Sequence, residues 1–248
     1  MKNIFLAVIV TLNVTSSQVI SLQGIQSKIE QAFYAAFSGG NSSELTIVAE
    51  QLKQDGSPLA TYWYAYAKYY ESVFYLKMGE KGKSEKVVND GVEVLSKLKN
   101  KNSDDYALLV IMQNFSMQFA DNVMKLGVIS EQVGQNVEKA IKADANNLRA
   151  YYAAAASDFY TPEQYGGGKQ TEGYLLKAIT FSEQPVDDSS LPSWGKDQAY
   201  QMLVSLYLKK GNMALAKKYL EEAAQLYPRQ NGWAELEKQI NNLSSGRQ

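Results

Sequence analysis

The chain has 248 residues, is 45% hydrophobic and 21% charged, and carries a formal net charge of −1. That balance belongs to a folded globular chain and excludes both disorder and the basic surplus that nucleic-acid binding demands. Cysteine and histidine are both absent, which removes disulfides, thiolate chemistry, cysteine-borne lipids and the commonest general base or metal ligand near neutral pH.

The N-terminus, "MKNIFLAVIVTLNVTSSQVISLQ", begins with Lys2 and runs apolar from Ile4 to Val14, broken by Thr11 and Asn13. Small residues follow and offer cleavage after Ser17 or Ser21. This is a secretory signal pattern, too short to span a bilayer, so residues 1–21 are expected to direct export. The exported chain, 22–248, is expected to be one soluble domain in the periplasm or outside the cell, with no cysteine for a lipid anchor.

Past Leu22 the apolar period is helical almost throughout. Ile25, Ile29, Phe33 and Phe37 share a face; Gly39-Gly40 ends that helix and "NSSE" at 41–44 opens the next, with Leu45, Val48, Ala49 and Leu52 inward. "DGSP" at 55–58 breaks the chain. Residues 59–79 then form an aromatic-rich helix whose Trp63, Tyr66, Ala67, Tyr70 and Phe74 recur on one side. Helices are predicted at 83–99, at 105–126 with Asp104 or Asp105 as N-cap, and at 130–144. No alternating strand pattern appears, so the fold class is all-α.

The segment 197–230 shows what the helices are for. Tyr200, Leu203, Val204 and Tyr207 fill a first helix, Gly211 a turn, Ala216, Leu220 and Ala223 a second helix, and Pro228 closes it. This spacing resembles the tetratricopeptide repeat, which implies a superhelix of stacked hairpins. Three further units are marked at about 60–99, 114–147 and 149–185. In the third, Tyr152, Ala155, Ala156 and Phe159 precede Thr171, Leu175 and Ala178. In the second, Val137, Ala140 and Ala145 mark a repeat end. In the first, only the leading helix around Trp63 matches.

The third unit carries "YTPEQYGGGK" in its internal turn, three residues longer than the turn of the last unit. Thr161 with Gln164 is expected to cap a single helical turn. Gly166–Gly168 should then take positive φ and start the second helix near Lys169. A phosphate loop is excluded, because Glu163 and Gln170 stand where its glycine and hydroxyl belong. That motif, with "LPSWGK" before the last repeat, is similar to exported bacterial tetratricopeptide-like proteins, to which the helical component of some TRAP transporters is related. The resemblance implies a scaffold and no catalytic residues.

Repeat arrays present a concave groove lined by their first helices. Transferred to this chain, the groove positions are Tyr64, Lys68 and Glu71, then Ser157 and Tyr160, then Gln201, Ser205 and Lys209. Tyrosine, amide and hydroxyl groups with a few charges suit a protein or peptide partner. The alternative is a small-ligand component working with a membrane transporter, whose cavity the Tyr62–Tyr75 cluster and Tyr165 would line. Catalysis is not expected: Asp187-Asp188 lies in a loop, and Glu221-Glu222 diverge on a helix. No cofactor or metal is expected either, since no loop has calcium-ligand spacing. "NSS" at 41 and "NLS" at 242 match glycosylation acceptors, and the tail from Asn241 is expected to fray.

Overall fold

The computed structural model describes residues 20–184, 187–228 and 232–245; most of the expected export signal lies outside them. The described chain is all-α: α1 Ile25–Gly39, α2 Ser43–Asp55, α3 Pro58–Lys77, α4 Lys81–Lys97, α5 Ser103–Ser116, α6 Val123–Ala143, α7 Leu148–Tyr160, α8 Thr171–Thr180, α9 Lys196–Lys209, α10 Met213–Leu226 and α11 Gly232–Ser245. Successive pairs pack as antiparallel hairpins, each first helix also touching its neighbour in the stack, and α11 closes the array against α9 and α10. One core surrounds Trp63 in the N-terminal half. A second surrounds Leu203 and Leu220 in the C-terminal half. Ala107, Val110, Val133 and Ala153 join them.

Several sequence expectations are refined. The helix expected over 105–126 ends at Ser116; a 3-10 turn over Met117–Phe119 follows, and α6 starts at Val123, capped by Asn122. The second repeat therefore takes α5 as its first helix and begins before residue 114. Its N-cap is Asn102, which accepts from Asp105 N while the Asp105 carboxylate accepts from Asn102 N at 2.8 Å. Asp105 is thus the return half of a capping box rather than the cap itself. The Asn241 tail stays helical to Ser245 as the end of α11.

The register of α3 is also corrected. Ser72 Oγ donates to the Ser84 carbonyl, and Ser84 Oγ to the Ser72 carbonyl, each at 2.8 Å. Their spacing equals that of Val204 and Ala216, the small residues where the last hairpin closes. Ser72, not Ala67, is thus the close-contact residue of the first unit. Close approach continues at Gly91, where a Cβ would meet Met112 Cε at 2.6 Å and Lys68 Cβ at 3.0 Å. A five-residue shift turns each assigned position about 140° around the helix.

Candidate functional site

That rotation decides three of the eight groove assignments. Tyr64, Lys68 and Glu71 do not line an open groove; they are buried, at 1%, 8% and 3% exposure, facing α2 and α4. Tyr64 donates to the Asp90 carboxylate of α4. Lys68 Nζ lies 2.7 Å from Glu71, whose other oxygen accepts from Thr46 of α2 at 2.7 Å. Each charge is matched, as burial requires. They hold a seam together.

The remaining five stay nearer the surface. Tyr160 and Lys209 are exposed, while Ser157, Gln201 and Ser205 are half-buried. Lys209 approaches the Phe159 ring at 6.0 Å and Glu163 at 3.7 Å, so the ends of α7 and α9 adjoin. Ser205 donates to the Gln201 carbonyl, and Gln201 lies beside Gly232 at the start of α11.

The first helices of several hairpins instead bring together a tyrosine group of which the sequence reading assigned only Tyr160 to the groove: Tyr34 of α1, Tyr69 and Tyr70 of α3, and Tyr152 with Tyr160 of α7. Phe33 packs edge-on to Tyr70 with ring centres 4.7 Å apart, and Tyr69 edge-on to Phe115 at 5.5 Å. Burial raises the Tyr69 hydroxyl to about 12, reinforced by Tyr160. Burial lifts Tyr152 well above the ordinary phenol range, with Tyr69, Tyr160, Asp197 and Tyr70 adding to the effect. Tyr69 and Tyr152 therefore stay neutral hydrogen-bonding phenols near neutral pH. Tyr34 and Tyr160 remain 60% and 71% exposed, so the group has open ends. On α1, burial raises the Glu30 carboxyl against hydrogen bonds from Tyr66 and Gln26, and Asp197 of α9 raises it further. The couplings among residues of α1, α3, α7 and α9 show that these side chains share one face of the stack.

Part of that face is already occupied by the chain itself. In the connection from α8 to α9, residues 187–195 run back over α1, α3 and α7 as a strap. Ser189 accepts from Gly24 N at 3.0 Å, Ser190 from the Trp63 indole at 2.8 Å, and Gln26 from Ser193 N at 2.8 Å. The Trp194 indole donates to Tyr62 at 2.7 Å, and its ring stacks on Tyr66 with centres 5.9 Å apart. Arg149, 4% exposed, pins it from below: Nε donates to Asp104 at 2.7 Å, and Nη1 to the carbonyls of Glu183 and Trp194. "LPSWGK" is therefore a tether, a role that no local pattern announces.

The glycine turn has the expected single helical turn, a 3-10 turn over Glu163–Tyr165, and positive φ at Gly166 and Gly168. Gly167 is required for space: a Cβ there would lie 1.9 Å from the Thr161 carbonyl oxygen. Thr161 does not cap Gln164; its hydroxyl donates back to the Ser157 carbonyl. The second helix starts at Thr171, where Asp158 Oδ2 accepts from Gln170 N, Thr171 N and Thr171 Oγ1 within 2.9 Å. The loop thus lets an aspartate from one helix cap the next.

Among the described residues no group of three or more acids is placed to hold a metal, and no helix is long and apolar enough to cross a membrane. No family model and no curated protein matches the chain. Solved structures do share its fold. A thermophilic tetratricopeptide protein of Thermus thermophilus aligns with a TM-score of 0.59 and 16% identity, covering 88% of this chain and 98% of that one. The HusA haemophore of Porphyromonas gingivalis aligns with a TM-score of 0.56 and 21% identity, covering 75% and 94%. With the hairpin stack above, these likenesses show a tetratricopeptide-like helical protein.

Proposed function

We propose that the protein is an extracytoplasmic scaffold that binds a peptide or protein on its inner face, across Tyr34, Tyr69, Tyr152 and Tyr160 and out to Lys209. The observation that carries the reading is the tyrosine group itself. Its phenols are anchored on neighbouring first helices, its two ends are exposed, and the strap leaves Tyr34 and Tyr160 open to solvent. Rigid tyrosines give large contact area at low entropic cost. Export rests on the N-terminal signal pattern. Of the two cleavage points, the one after Ser17 keeps Ile20, which packs in the first core.

The test is selection of binders from a random displayed peptide library, followed by titration against Tyr34→Ser, Tyr160→Ser and Lys209→Ser. Peptides that lose about tenfold or more in affinity for the tyrosine variants support the reading. Peptides that bind all variants equally refute it. Export is checked separately by fusing residues 1–21 to a reporter active only outside the cytoplasm.

A second reading, a small flat ligand held between the same tyrosines, is favoured by the half-buried neutral phenols of Tyr69 and Tyr152. The structural likeness to a haemophore makes haemin a suitable probe for it. A haem-type absorption shift on titration, abolished in Tyr160→Ser, would put this reading first.

A further inference from the structure

Hairpin topology sets every turn from a first helix to its second on one rim of the stack. Contacts between neighbours agree: Ser42 donates to Tyr75 at 2.9 Å, Lys125 meets Glu85 at 3.1 Å, and Lys210 meets Glu172 at 2.5 Å. Along this rim the chain leaves large apolar side chains in water. Val123 and Met124, opening α6, are 85% and 80% exposed, and Leu126 and Val128 follow on the same turns. Met78 lies in the adjacent turn, and Tyr165 further along, at 75%. Among the turns on the opposite rim, Leu226 is the corresponding exposed residue.

An uncovered apolar helix start costs solubility unless something covers it. Here the neighbouring charges indicate the cover. Lys77, Lys81 and Lys86 are exposed in and beside the α3–α4 turn and have no ion-pair partner among the described residues, while Glu80 and Glu85 are each held by a lysine, and the exposed Asp121 of the α5–α6 turn accepts from the Asn122 amide. The apolar side chains project as separate knobs between these ammonium groups. That is the composition of a surface that dips into the headgroup region of a bilayer, where cations meet anionic phosphates and short apolar or tyrosyl side chains enter below them.

We infer that the rim formed by the α3–α4 and α5–α6 turns docks on an anionic lipid surface, inserting Val123 and Met124 among headgroups bound by Lys77, Lys81 and Lys86. The residues that carry it, in the α3–α4 and α5–α6 turns, are none of those in the tyrosine group and need no ligand there, so either proposal stands if the other fails.

The absence of cysteine makes the test direct. Gly127 is exposed with nothing within 4 Å of an added Cβ, so Gly127→Cys carries an environment-sensitive fluorophore without disturbing the fold. Leu226→Cys reports from the other rim. The full chain is mixed with vesicles of phosphatidylglycerol and phosphatidylethanolamine, or of phosphatidylcholine alone. The expected result is a blue shift at Gly127→Cys with anionic vesicles, weaker in high salt, and none at Leu226→Cys. Adding Val123→Ser with Met124→Ser should weaken binding by about tenfold or more. Both substitutions are at exposed sites, and circular dichroism checks that they fold. No shift with anionic vesicles, an equal shift at both probes, or an unchanged shift in the serine variant would each overturn the inference.

Discussion

Trp194→Ala should be the most damaging single truncation in the strap, and its cost follows from the contacts. The side chain is 6% exposed, stacked on Tyr66, edge-on to Tyr152 and within 6.0 Å of the Arg149 guanidinium. Removing a buried tryptophan costs about 3–5 kcal/mol. It also strands the hydroxyl of Tyr62, itself 2% exposed, whose lost partner adds about 1–3 kcal/mol. Together these come to about 4–8 kcal/mol, comparable to the whole stability of many domains. Trp194→Phe keeps most of the ring contact and forfeits mainly the hydrogen bond, so about 1–2 kcal/mol is expected. Urea unfolding followed by far-ultraviolet circular dichroism gives both numbers, and hydrogen exchange should show the loss concentrated at Gly24 and Leu191. If Trp194→Ala costs less than about 1 kcal/mol, or no more than the phenylalanine variant, the strap is not a tether.

Three further outcomes are expected. Gly166→Ala, which needs positive φ but has open space, should cost about 1–2 kcal/mol, whereas Gly167→Ala drives a methyl into the Thr161 carbonyl and should cost more; equal midpoints in thermal melts would contradict the geometry. Glu71→Ala should destabilise by about 3–5 kcal/mol because it strands buried Lys68, and Lys68→Met with Glu71→Leu should recover most of that; a neutral single variant would restore these residues to the groove. Burial pushes the Asp105 carboxyl up to about 6, against the opposing hydrogen bond from Asn102 and with Asp104 adding to the rise. The folded state therefore holds a proton that the unfolded state releases. Asp105 lowers stability as pH rises from about 4 to 6, by on the order of 3 kcal/mol once fully ionised. Asp105→Asn should flatten that stretch of a stability-against-pH curve, and an unchanged slope would count against it.

The sequence by itself determined the helical class, the hairpin repeat and the places where the chain must turn. These depend on local physics: an apolar residue every three or four positions, small residues where helices cross, and glycines at positive φ. Val204, Ala216 and Ala223 could be read directly because sterics at a helix crossing tolerate little else. The first unit was harder, since serine replaced alanine at the crossing and Ala67 offered a false match. One misplaced register then carried Tyr64, Lys68 and Glu71 onto the wrong face. Only the tertiary structure decided the rest. Trp194, Tyr62 and Arg149 lie far apart in sequence, and nothing in their neighbourhoods specifies that they meet. The strap forms because two buried indoles and a buried guanidinium each need a partner that distant backbone or phenol oxygens supply. The inner tyrosines have the same origin: helical period places each on its own helix, but the superhelical stacking of α1, α3, α7 and α9 brings them together.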